Sequence, residues 1–149
     1  MSETQRTLIR ADAAAYIEAV YGPGGEGWFR EVQSGPWQPG SHVRPKTTVS
    51  DAGQRRADYA DTETEKSFAL GLELTLDLKD NWRENYDEWC DRVQRMIIDM
   101  QNRLFGYGML RMEYEDDSPF EVVFGSGSTE QVWLVSFTAT YAAAVKEIG

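Results

Sequence analysis

The chain has 149 residues, a hydrophobic fraction of 41%, and five Trp, seven Tyr and six Phe, enough for one domain over residues 1–149 with a packed core; global disorder is excluded. A formal net charge of -10 and a pI near 4.5 repel phosphate and argue against nucleic-acid binding as the main role. The single cysteine, Cys90, excludes an internal disulfide, and no window reaches the roughly 20 apolar residues of a membrane span.

The first twenty residues lack the apolar run of a signal peptide, so the expectation is a soluble protein made in a cytoplasm. Residues 7–20 predict a helix, because Leu8, Ile9, Ala13, Tyr16, Ile17 and Val20 recur at spacings near 3.6. The run YGPGGEG ends it, since Gly and Pro continue a helix only at a cost. Residues 28–32 predict a short strand, SGPWQPGS a turn, and residues 43–49 an extended piece with Pro45 at an edge or a strand start.

Residues 50–66 hold one large apolar side chain, Tyr59, and predict a long polar loop, either a surface excursion or an arm that orders against a neighbour. Residues 67–79 follow as a long strand. Phe68, Leu70, Leu72, Leu74, Leu76 and Leu78 alternate with Ala69, Gly71, Glu73, Thr75 and Asp77, so one face is apolar and the other small or polar. Residues 81–104 predict the longer helix, about 36 Å from end to end. Its stripe is Trp82, Tyr86, Trp89, Val93, Met96, Ile97, Met100 and Leu104, with Asn81 as cap, Glu84 as capping-box partner and Gly106 as a left-handed stop. Glu88 with Arg92, Asp91 with Arg95 and Asp99 with Arg103 are acid-then-base pairs four apart.

Residues 109–115 then read as a strand, DDSP as a turn, 120–124 as a short strand, GSGS as a flexible tip and 131–141 as a final strand. The expected class is α+β: a mostly antiparallel sheet with one long and one shorter helix packed on one face.

No arrangement of reactive residues stands out. His42 has no orienting partner nearby in sequence, and with Cys90 it supplies too few ligands for zinc. Cys90 beside Trp89 reads as a packed apolar group. Glu113, Glu115, Asp116 and Asp117 are the densest acidic cluster, but their spacing is not that of an EF-hand, and they read as a solvated strand end. No catalytic residue, metal or cofactor is assigned. Charge is distributed unevenly, however. Residues 107–149 carry two basic and seven acidic side chains, a net of -5, whereas residues 43–66 carry five of each. Arg44, Lys46, Arg55 and Arg56 could meet DNA phosphates or the acidic C-terminal third of an identical neighbour.

The order of elements resembles the tail terminator, or tail completion, proteins of tailed bacteriophages. An N-terminal helix leads to extended pieces and a polar loop, and SFALGLELTLDLK then runs into WRENYDEWCDRVQRMIIDMQNRL. A strand like VWLVSFTATYAA closes the domain. The likeness covers roughly residues 7–145 and carries no signature motif. It implies a structural virion protein, not an enzyme. Copies form a ring, usually of six, on the end of the tail tube, stop its growth and offer a surface to the head-side connector in the neck. DNA passes through the ring only as cargo, and assembly takes place in the host cytoplasm without a membrane. The expected partners are therefore the chain itself, the tail-tube protein and the connector. The expected subunit or tube interface comprises Arg44, Lys46, Arg55, Arg56, Tyr59, Glu73, Thr75 and Asp77. Two alternatives remain open: a head-closure connector, and an acidic DNA mimic.

Overall fold

The computed structural model describes residues 4–59, 61–78, 83–103 and 105–144. Helix α1 spans Gln5–Tyr21 and α2 spans Tyr86–Gln101; strands β1 to β5 span Glu31–Ser34, Lys46–Ala57, Glu65–Asp77, Met109–Val123 and Thr129–Ala144. The strands form one sheet in the order β1-β2-β3-β5-β4. Only β1 and β2 run parallel; every other pair is antiparallel. The α+β expectation holds.

The alternation seen in the sequence decides which face is core. Leu70, Leu72, Leu74, Leu76 and Leu78 of β3 and its flank lie beside Trp133, Val135, Phe137, Ala139 and Tyr141 of β5, all buried in one cluster. Both helices cover this face: Ile9, Ala13, Ile17 and Tyr21 come from α1, and Trp89, Val93, Met96, Ile97 and Met100 from α2. Rings tie the segment between α1 and β1 to both helices, with Tyr21 of α1 stacked on Trp28 at 4.5 Å and Phe29 tilted on Trp89 of α2 at 5.8 Å. Burying five such leucines contributes about 8–15 kcal/mol before entropy is counted.

Several expectations are corrected. The helices are nearly equal, at 17 and 16 residues. Helix α2 begins at Tyr86 after Asn85, and Asn81, Trp82 and Leu104 lie outside the described residues. At about 24 Å it cannot cover the whole strand, so α1 shares the task. Of the expected ion pairs along α2, Glu88–Arg92 forms at 2.6 Å. Arg95 reaches Glu26 instead, and Asp99 accepts from the Tyr21 hydroxyl. The left-handed backbone after α2 falls at Tyr107 and Gly108, not Gly106; a Cβ on Gly108 would sit 2.5 Å from the Ala142 carbonyl oxygen.

The supposed polar loop at 50–66 is mostly sheet. Strand β2 continues to Ala57, and β3 begins at Glu65. Polar composition misled because this half of β2 lies beyond the reach of β1, which pairs only with Lys46 to Val49; from Ala52 to Arg56 the strand is an exposed edge. DDSP is likewise strand: Asp116 to Pro119 pair with Ser136 to Trp133. Strand β4 is the opposite edge, where a proline costs no ladder bond if its nitrogen faces outward.

A β-bulge in β2 sets which side chains face where. The register shifts between Asp51 and Gln54, Gly53 takes φ +93°, and the Gly53 amide donates to Asp51 Oδ1 at 2.7 Å. The extra residue puts Arg55 opposite Ala69 on the helix-free face and Arg56 opposite Phe68 on the helix face. Without the bulge the two arginines would exchange faces.

Candidate interaction surface

The helix-free face is built from the odd positions of β3 and the even positions of β5. It is capped at both ends and bare in the middle. At one end, the crossover 35–45, which joins the parallel strands β1 and β2, runs over three strands. The Gly35 carbonyl accepts from Ser50 Oγ of β2 at 2.8 Å. Trp37 Nε1 donates to both carboxylate oxygens of Asp77 on β3, at 3.1 and 3.2 Å. The Gly40 amide donates to Glu130 Oε2 on β5 at 2.8 Å. At this end Thr48, Thr75, Asp77, Glu130 and Val132 are all buried.

At the other end, the β2–β3 turn folds back. Asp61 accepts from the Ser67 amide and hydroxyl, each at 2.7 Å, and pairs with Arg56 at 2.9 Å. These bonds, those from Ser67 foremost, hold the Asp61 carboxyl below its usual range. Arg111 of β4 lies 4.7 Å over the Tyr59 ring and fastens the turn to the far edge.

Between the caps runs a bare stripe. Gly71 and Glu73 of β3, and Leu134, Ser136 and Thr138 of β5, are all only half-buried. A shallow depression of about 390 Å³ lies here, lined by Ala52, Gly53, Gln54, Arg55, Ala69, Gly71 and Thr138. On the β2 margin Arg55 is exposed, with no ion pair or hydrogen bond among the described residues. On the β4 margin Asp116 is exposed and equally unpaired, opposite Ser136 in the ladder.

The acidic cluster is divided by the pleat rather than gathered as a solvated strand end. Glu113 pairs with Arg111 at 2.6 Å, and Glu115 accepts from Thr138 at 2.8 Å. Asp117 turns to the helix side, where it accepts from Trp133 Nε1 at 2.8 Å and from the Tyr114 hydroxyl. That bond, ahead of burial, pushes the Tyr114 phenol up to about 12. Of these four, Asp116 alone has no side-chain hydrogen bond or ion pair among the described residues.

The expected interface residues do not form one patch. Arg55, Glu73 and Tyr59 are accessible on or beside the bare face. Arg56 is held on the helix side, 5.8 Å over the Phe68 ring. Lys46 sits opposite Asp77 near the crossover. Arg44 lines a separate cleft of about 760 Å³ with His42, Arg83, Glu84, Glu121 and Glu130. Thr75, 3% exposed, and Asp77, 0% exposed, are withdrawn from the surface, because the crossover lies over them; this corrects their placement in an interface.

Sequence reasoning missed the Asp77–Glu130 pair altogether. The two are 53 positions apart in the chain (130 − 77), and only the β3–β5 ladder, with Asp77 opposite Val132, makes them neighbours on one face. Burial first, and then sharing a hydrogen bond with Glu130, raises the Asp77 carboxyl to about 7; Trp37 and Lys46 act in the opposite direction. Among the described residues no group of three or more His, Cys, Asp or Glu is placed to hold a metal ion, and no helix is long and apolar enough to cross a membrane.

No family model matches the chain, and no curated protein matches it.

Proposed function

We propose that the chain is a ring-forming structural subunit of a tailed-phage virion, one that caps the tail tube and joins it to the head-side connector. The observation that carries the reading is the one-sided sheet. Helices bury one face, and the other keeps a bare stripe whose two margins carry opposite charges, Arg55 and Asp116, each unpaired among the described residues.

Those margins are different surfaces, so two copies joined through them form a head-to-tail contact, which closes into a ring when the rotation between copies is right. Like charges along β4, together with Pro119, oppose β4-to-β4 pairing. The basic margin of a neighbour faces no such barrier. The net charge of -10 keeps passing DNA from adhering to the ring wall.

The test is a charge exchange read by mass in solution and by electron microscopy of tubes. Wild type should form rings alone or on tube ends and cap tube growth. Arg55→Glu and Asp116→Arg should each weaken assembly, and the double variant should recover it. A protein that leaves tube growth unchanged in every form would refute the tube-capping role. Rings indifferent to both substitutions would refute the charged margins as the contact.

A further inference from the structure

The crossover 35–45 is held down by an unusual anchor. Asp77 and Glu130 are 0% and 2% exposed, on adjacent strands and on the same face. Each takes a hydrogen bond from the crossover, one from the Trp37 indole and one from the Gly40 amide. Glu130 Oε1 is buried and receives no hydrogen bond from any fixed donor. Two ionised carboxylates side by side in a buried site repel strongly; one proton between them removes the repulsion and supplies the missing donor.

The geometry points to a proton-binding site: we propose that a single proton shared by Asp77 and Glu130 latches the crossover 35–45 over the sheet, and that its loss releases the crossover and uncovers Thr48, Thr75 and Val132. This latch does not depend on the assembly reading.

Other charged groups face the pair from each neighbouring element. Lys46 of β2 lies opposite Asp77 and favours its ionised form. His42 and Arg44 of the crossover, Glu121 of β4, and Arg83 and Glu84 before α2 line the adjoining cleft, with Arg83 and Glu121 3.7 Å apart. None of them donates to Glu130 Oε1. The closed state therefore holds one proton more than the open state. Asp77 has a raised value when closed, so closure is strongest below the ordinary aspartate pKa of about 3.9 and is lost as pH rises toward the raised value. The opening constant should grow about tenfold per pH unit between roughly pH 4 and 7, then level off.

The experiment follows the Trp37 indole N–H and the Gly40 amide by NMR in the full chain, from pH 5 to 8, with exchange corrected for the intrinsic rate. In wild type, protection of both should fall about tenfold per unit up to about pH 7 and then plateau. Asp77→Asn puts a permanent donor toward Glu130 and still accepts from Trp37, so both signals should stay protected at pH 8. Glu130→Gln should do the same from the other side, and it decides the matter if the first variant does not fold. His42→Gln should keep the wild-type transition. A wild type without the transition, variants that retain it, or its disappearance in His42→Gln would each overturn the latch.

Discussion

Leu74→Ala is the sharpest test of the one-sided core. Leu74 is fully buried, with Val49 of β2 and Val135 of β5 directly across the ladders on either side. Both flanking strands are pinned by backbone hydrogen bonds, so the space left by the deleted atoms cannot close easily. Leu→Ala costs range over about 2–5 kcal/mol, rising with the residual cavity. A site clamped on both sides belongs in the upper half, at about 4 kcal/mol. With a urea slope of about 2 kcal/mol per molar for a domain of this size, the unfolding midpoint should fall by about 2 M. The matched control is Ser136→Ala on the opposite pleat of β5, half-buried and opposite Glu73 and Asp116. It should change stability by less than about 0.5 kcal/mol. Urea unfolding followed by circular dichroism measures both. Equal costs at the two positions would show that the sheet is covered equally on its two faces, and the argument for a bare stripe would be lost.

Two further outcomes follow from single contacts. Gly53→Val places a β-branched residue at φ +93° and should cost about 1–3 kcal/mol; a variant as stable as wild type in urea would mean that the bulge does not need this backbone. Arg6 pairs with Asp51 and, mainly through that hydrogen bond, holds the carboxyl below its usual range. A depressed carboxyl contributes stability above the ordinary pKa near 4 and loses it as pH falls through the lowered value. Arg6→Met should therefore cost about 1 kcal/mol at pH 7 and progressively less below pH 4. Urea midpoints at pH 7 and pH 2.5 check this, and a gap that stays constant would assign the cost to packing rather than charge.

Periodicity alone determined most of the architecture. Alternating leucines in residues 67–79 and the matching run at 131–141 announced two strands with one apolar face, and the spacing from Trp89 to Met100 announced the helix that covers them. These signals are local, since a strand or helix repeats its burial pattern within a few residues. The same reasoning failed at 50–66 and at DDSP, because edge strands are solvated and carry the polar, proline-tolerant composition of loops. Which arginine of Arg55 and Arg56 faces which side depended on one extra residue at Gly53, and no periodicity shows that. The burial of Thr75 and Asp77 was decided by a crossover joined to them only in space. The Asp77–Glu130 pair likewise exists only because β3 and β5 meet in one register. Tertiary structure alone could decide these points, because burial of a polar group is set by what folds over it, not by its neighbours in the chain.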